Sequence, residues 1–244
     1  MLYKAIGVVV FLISIITISV LFMRIKSGAT IEWYEVKPHM RPPMFEQLQT
    51  VAAQAFVAVI KPYIYATDQR LARTPAEKQA LVEQKIVEAI AQVQQEELSK
   101  KLDTNDTHYL AIAKAGQQKI IGFALFREIR DKAELARNLK KLVAGSLESI
   151  TVFSGDEIYL DLLAVMPGTQ KKGIGKALVF SVFDHMPRIK KIYLRTSASP
   201  YNKNTQAFYE HIGFTRLFTG EFAEEKGHSG FDHEKIVYFF QKKE

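Results

Sequence analysis

Leu163-Ala164-Val165-Met166-Pro167, followed after Gly168-Thr169 by Gln170-Lys171-Lys172-Gly173-Ile174-Gly175-Lys176, is the stretch on which the fold turns. Upstream of it, Glu157 to Val165 is a near-continuous apolar run interrupted by Asp161, the pattern of a strand buried on both faces, and Pro167-Gly168 stops it. Downstream a helix must begin near Gly173, because Lys176 to Phe183 is apolar on most sides and Pro187 lies just beyond its end. The order is strand, glycine-bearing turn, buried helix. Glycines there free the backbone to turn N–H groups toward one point, and the helix start adds a partial positive charge. Gln170, Lys171 and Lys172 place further donors and positive charge on the same rim. The product is a socket for a pyrophosphate.

Spacing separates three phosphate motifs that compete for this turn. A Walker A loop needs Gly-x4-Gly-Lys-Ser/Thr; Gly168 and Gly173 have the spacing, but Ile174-Gly175 stands where Lys-Ser/Thr must be. That reading fails. A dinucleotide fingerprint needs a small residue three after the second glycine, where Leu178 stands, so that reading is weak. What remains, Gln-x-x-Gly-x-Gly after a strand ending Leu-Ala-Val-x-Pro, resembles motif A of the GNAT superfamily, the acyl-CoA-dependent N-acyltransferases. The residues that follow strengthen the likeness. Lys191 to Ser197 reads as the next strand and Ala198 to Tyr201 as a turn. Asn202 then caps a helix running through Gln206-Ala207-Phe208-Tyr209, which Gly213 ends before Phe214 opens another strand. Asn202, then Tyr209, then Gly213-Phe214 is similar to the second half of the GNAT pattern. The resemblance is specific over 157 to 219 and architectural before that. It implies an α/β fold (α+β layered) with a mixed central sheet of about six to seven strands flanked by helices.

At 244 residues the chain suggests one domain of roughly 200 residues plus an appendage. Cysteine is absent, which excludes disulfides and thiolate metal sites. The net charge of +7 comes from lysines and arginines spread among 26 acidic residues rather than gathered in one block, a poor pattern for nucleic acid. Ala5 to Met23 is uncharged and almost wholly apolar; as a helix it would reach roughly 28 Å, close to the hydrocarbon thickness of a bilayer. The rival reading is a cleavable signal peptide, with small residues at Ser27-Gly28-Ala29. The run is longer than such a peptide needs, and Arg24 and Lys26 intervene, so an uncleaved anchor is favoured. Arg24, Lys26, Lys37 and Arg41 outnumber Lys4 and the amino terminus, which puts the C-terminal side in the cytoplasm. The expected organisation is therefore a membrane anchor with its basic flank over 1–27 and an acyltransferase domain over 28–244.

Within that domain, Ile31 to Val36 alternates as a first strand. Pro42-Pro43 opens a helix with Phe45, Leu48, Val51, Ala52, Ala55, Phe56 and Val59 at helical spacing, closed by Pro62. Pro75 to Ser99 predicts a second helix. The resemblance implies that this pair forms one wall of the acceptor site. Tyr109 to Ala115 and Lys119 to Arg127 read as a hairpin. Residues 131 to 144 predict a basic amphipathic helix, either a solvated face or a surface that rests on anionic membrane or screens the acceptor site. His228, Asp232 and His233 lack metal-ligand spacing and fall in a polar loop before the last strand, Lys235 to Phe240. His211 is expected to be packed or solvent-facing, and His185 to cap the carbonyls of its helix. No metal is expected.

The resemblance implies that acetyl-CoA is the co-substrate and that a primary amine attacks its thioester directly. The absence of Cys and of a Gly-x-Ser-x-Gly elbow agrees with a route lacking a covalent enzyme intermediate. By the same resemblance the amides of Leu163, Ala164 and Val165 bind the pantetheine arm as an added strand. The turn Gln170, Lys171, Lys172, Gly173, Ile174, Gly175, Lys176 holds the pyrophosphate, and Asn202 completes the cofactor side. A backbone N–H at Ala164 or Val165 meets the oxyanion. Tyr209 donates a proton to the departing thiolate; packing in the core is its bland alternative. Asp161, a lone carboxylate in an apolar strand where charge is costly unless paired, is the candidate base, with Glu157 and Tyr159 on its face. A structural hydrogen-bonded aspartate competes with that role. A homodimer is compatible with this reading, the acceptor is unidentified, and two other classes stay open: a non-catalytic acyl-CoA-binding module and a membrane-tethered interaction protein.

Overall fold

The computed structural model describes residues 23–24, 28–37, 42, 44–67, 74–92, 98–102, 106–116, 119–128, 154–221 and 234–243. The expected anchor as far as residue 22, the basic helix over 131 to 144, and His228, Asp232 and His233 lie outside the described residues. Among the described residues no helix is long and apolar enough to cross a membrane.

The first elements are β1 (Met23–Arg24), β2 (Thr30–Val36), α1 (Phe45–Thr67), α2 (Pro75–Gln92), α3 (Leu98–Leu102), β3 (His108–Ala115) and β4 (Lys119–Glu128). Then come β5 (Glu157–Val165), α4 (Ile174–Phe180), α5 (Val182–His185), β6 (Lys191–Ser197), α6 (Lys203–His211), β7 (Thr215–Glu221) and β8 (Glu234–Gln241). The strands form one sheet in the order β1-β2-β3-β4-β5-β6-β8-β7, seven full strands and the two-residue β1. All neighbours are antiparallel except β5 and β6, whose parallel pairing requires the crossover that α4 and α5 supply.

Two local expectations change. Met23 and Arg24, assigned to the anchor and its flank, pair with Ile31 and Thr30 instead, because the outer edge of β2 offers unpaired backbone groups. Helix α1 runs through Pro62 to Thr67, since the φ to which any proline is fixed is compatible with a helix and its missing N–H costs one hydrogen bond. Helix α2 starts on a reciprocal cap, the Thr74 N–H donating to Glu77 and the Glu77 N–H to Thr74 Oγ1. The described part of the expected helix is α2 as far as Gln92 and α3 from Leu98, and residues 93–97 between them lie outside the described residues.

Alternation along the strands divides the core between the two faces. Ile31, Trp33, Ala111, Ala124, Phe126, Ile158 and Leu160 pack toward α4 to α6; Leu110, Ile112, Phe123 and Leu125 pack toward α1. On β5 the alternation breaks. Ile158 and Leu160 lie on the α4 side, yet Leu162 and Ala164 lie on the α1 side. Leu162 stands opposite Leu125 and Leu160 opposite Phe126, so Asp161 is the extra residue of a β-bulge, which reverses the faces beyond it.

Candidate active site

The parallel ladder between β5 and β6 is short. It joins Glu157 to Lys191 through Leu160 to Leu194 and goes no further, although β5 continues to Val165 and β6 to Ser197. Beyond Leu160 the β5 edge away from β4 has no ladder partner on β6, which leaves a gap in the ladder on the side of the glycine turn. A strand edge with unmatched N–H and C=O groups is a template for an extended ligand. Leu163, Ala164 and Val165 form that edge.

Each wall of the gap is held from outside. On the β5 side, the Arg127 Nε–H donates to Asp161 Oδ2 at 3.1 Å, and Asp161 has a side-chain exposure of only 4%. The expected base is therefore an ion-paired carboxylate at the bulge. Glu157, on the same face, is occupied elsewhere: it accepts the N–H groups of Ser154 and Gly155 and lies 3.2 Å from Lys191 Nζ. On the β6 side, Asn202 stands at the N-cap position of α6 without making the capping bond. Its Nδ2 donates to Thr196 Oγ1 at 2.8 Å and to the Ser197 carbonyl at 3.0 Å. Gln206 Nε2 reaches the same carbonyl at 3.1 Å. Asn202 thus ties α6 to the end of β6, a cross-element role that its capping propensity does not reveal.

The turn after β5 carries its conformational load at two positions. Lys171 has φ +61° and Gly173 φ +80°; the glycine takes the left-handed conformation without penalty, whereas the lysine does so at about 1–2 kcal/mol. Lys171, Lys172, Gly173 and Lys176 are exposed, Ile174 is buried in the α4-side core, and Gln170 folds back so that Nε2 donates to the Val165 carbonyl at 3.2 Å. Of the three rim residues, then, the two lysines remain pointing to solvent near the turn, and the glutamine ties the turn to the strand. Gly175 is helical rather than part of the turn, and it lies against Phe208. At Ser181, whose Oγ–H donates to the Leu178 carbonyl, α4 bends into α5.

Behind the gap, Tyr209 is 6% exposed, with its ring against Phe208, Phe214 and Tyr238. Burial first, and the Tyr159 phenol second, push its pKa well above the usual tyrosine range. It is a proton holder at neutral pH. Among the described residues no hydrogen bond reaches its hydroxyl.

Sequence reasoning missed Arg127, His108 and Gln206, each defined by a partner in another strand or across a turn. Arg127 alone carried a signal, a cation ending an apolar strand. His185 does not cap its helix; its ring stacks on Trp33 with centroids 4.5 Å apart. His211 is exposed. A cleft of about 450 Å³ is lined by Phe180, Phe183, Gly213, Phe240 and Lys242, none of them a residue of the β5 edge. Among the described residues no group of three or more His, Asp or Glu is arranged to hold a metal ion.

The sequence profile of the acetyltransferase (GNAT) family matches residues 76–214, more than half of the chain. No curated protein matches the chain. Among solved structures it is similar to Arabidopsis thaliana NAA60 in complex with a bisubstrate analogue, at 16% identity and TM-score 0.47 over 87% of this chain and 98% of that one. It is also similar to the PaiA N-acetyltransferase of Thermoplasma acidophilum in complex with coenzyme A, at 14% identity and TM-score 0.41 over 86% of this chain and 98% of that one. A third is the ribosomal-protein-S18-alanine N-acetyltransferase of Escherichia coli, at 17% identity and TM-score 0.36 over 75% of this chain and 88% of that one.

Proposed function

This chain belongs to the acetyltransferase (GNAT) family and is an acyltransferase, and from that premise we propose that it moves an acetyl group from acetyl-CoA to a primary amine by direct attack in a ternary complex. The observation that carries the reading is the parting of β5 from β6 after Leu160 and Leu194, beside the turn that Gly173 closes. The edge of Leu163, Ala164 and Val165 receives the pantetheine arm as a short extra strand. The turn from Gln170 to Lys176 receives the pyrophosphate, with Lys171, Lys172 and Lys176 supplying positive charge and Asn202 holding the opposite wall.

The amine gives a proton to water and attacks the thioester carbonyl as the free base. Carbon–nitrogen bond formation drives charge onto the carbonyl oxygen, which a β5 amide at Ala164 or Val165 meets. The nitrogen of the adduct gives its second proton to water as the carbon–sulfur bond breaks, leaving the neutral amide and the CoA thiolate. Tyr209, kept protonated by burial, is the proton source for the thiolate. The uncharged run from Ala5 to Phe22, stopping short of β1, supports reading that segment as a membrane anchor, and the charge imbalance across it favours a catalytic domain in the cytoplasm, where acyl-CoA is available.

The test uses the full chain, since a start at residue 28 would delete β1. Purified protein is incubated with acetyl-CoA and pooled primary amines while free thiol is followed, and CoA affinity is measured by calorimetry. Gly173→Glu puts bulk and negative charge in the turn and is expected to abolish CoA binding; Gly173→Asn, which tolerates the left-handed conformation, is expected to keep it. Unchanged CoA affinity in the glutamate variant defeats the site assignment.

A further inference from the structure

Between Ile158 and Val165, Asp161 alone falls outside the Cα register of the β4 ladder, and a β4 side chain holds it. Arg127, opposite Tyr159 in the ladder, places its guanidinium carbon 5.5 Å from the Tyr159 ring centroid and its Nε 3.1 Å from Asp161 Oδ2. One cation therefore touches β5 both before the bulge and at it. The start of β3 and the residues before it brace the pair: Asp106 Oδ2 lies 3.7 Å from Arg127 Nη1, and His108, opposite Arg127, brings Nε2 to 3.8 Å from Asp161 Oδ2. Burial is the largest influence on His108 and pushes its pKa down. The imidazole is neutral near pH 7 and leaves Arg127 as the cation facing Asp161.

A bulge bends a strand and increases its local twist, and a one-residue slip of register sends every following side chain to the other face. Here a slip would carry Ala164 out of the α1-side core. It would also swing the backbone groups of Leu163 to Val165. We propose that Asp161 and Arg127 are positioning residues whose ion pair pins the β5 bulge and so holds the slot between β5 and β6 open for the pantetheine arm. The proposal rests on the reading of that slot given above, and it assigns Asp161 a role other than proton acceptor. Asp161 Oδ2 is already engaged by Arg127 and approached by His108.

The test takes full-length Asp161→Asn, Arg127→Met and the double variant, measuring CoA affinity by calorimetry and thiol release across pH. Each single variant is expected to raise the Kd for CoA about tenfold, and the double variant no more than the worse single one, because both changes remove the same pin. The pH profile of Asp161→Asn keeps its acidic limb. If Asp161→Asn instead leaves Kd unchanged, lowers kcat about a hundredfold and loses that limb, Asp161 is the base and the proposal is overturned. Unchanged Kd in both single variants overturns it as well. Where Arg127→Met fails to fold, Arg127→Lys keeps the charge but removes the Nε donor, and a smaller rise in Kd is expected; no rise counts against the pin. Wild-type protein that does not bind CoA refutes the slot itself, a separate result.

Discussion

Gly175 lies so close to Phe208 that a Cβ at position 175 would meet Phe208 Cζ at 3.1 Å and Cε2 at 3.3 Å. The contact couples the helix that follows the glycine turn to the helix that carries Tyr209. Gly175→Ala gains about 1 kcal/mol of helix propensity, while overpacking costs about 1–3 kcal/mol. A modest net loss of stability is expected. Because Phe208 adjoins Tyr209, thiol release should fall more than the melting temperature suggests. Thermal melts by circular dichroism, set beside kcat, check both; unchanged kcat would show that the contact is packing alone.

Tyr209→Phe removes a buried hydroxyl that has no hydrogen-bond partner among the described residues. Folding stability should hold or rise by up to about 1 kcal/mol, since an unmatched polar group leaves the core. CoA affinity should stay as it is. Loss of a general acid lowers kcat by about 10²–10⁴-fold, and single-turnover acetyl transfer measures it. Full activity in the variant would reduce Tyr209 to a core residue.

Alkaline pH should unfold the domain through its tyrosines. Burial raises the pKa of Tyr109 and Tyr209, carries Tyr193 up to about 12 with the Glu157 and Asp156 charges adding to it, and carries Tyr238 up to about 12 with its bond to Glu210 adding to it. In the unfolded chain the same phenols ionise near pH 10. The folded state thus keeps more protons than the unfolded state, so stability is fully present below about pH 10 and is lost as pH rises toward the folded values. Phenolate absorbance should climb in a late step that coincides with loss of the circular dichroism signal. Full ionisation while the fold persists would contradict this.

Asn202→Ala deletes the bonds to Thr196 and Ser197 that close the far wall of the slot. The Gln206 bond to the Ser197 carbonyl survives, so the loss should fall in the range of about 1–3 kcal/mol, read as a lower urea midpoint. Combining it with Gln206→Ala should cost more than the sum of the single changes, because the carbonyl then loses both donors. Strict additivity would mean that water replaces them.

Some of this architecture is legible in local chemistry. The strand of Glu157 to Val165, the turn demanding a left-handed residue at Gly173, and the helix ended before Gly213 follow from residues within a few positions of one another. Other features are not. A bulge at Asp161 is invisible in the run Leu160-Asp161-Leu162, because it exists only as a mismatch of count between two strands. Asn202 reads as a cap, yet its amide prefers two oxygens near the end of β6 that folding brings within reach.

What the chain carried on its face was the order of strand, turn and helix and the spacing from Gln170 to Tyr209 that marks its family, because backbone preference and phosphate-turn chemistry act over a few residues. Tertiary structure decided the face on which Ala164 lies, the partner of Asp161 and the neighbour of Gly175. Arg127 and Asp161 are 34 residues apart in sequence, and only strand pairing across the sheet turns such a separation into a 3.1 Å contact.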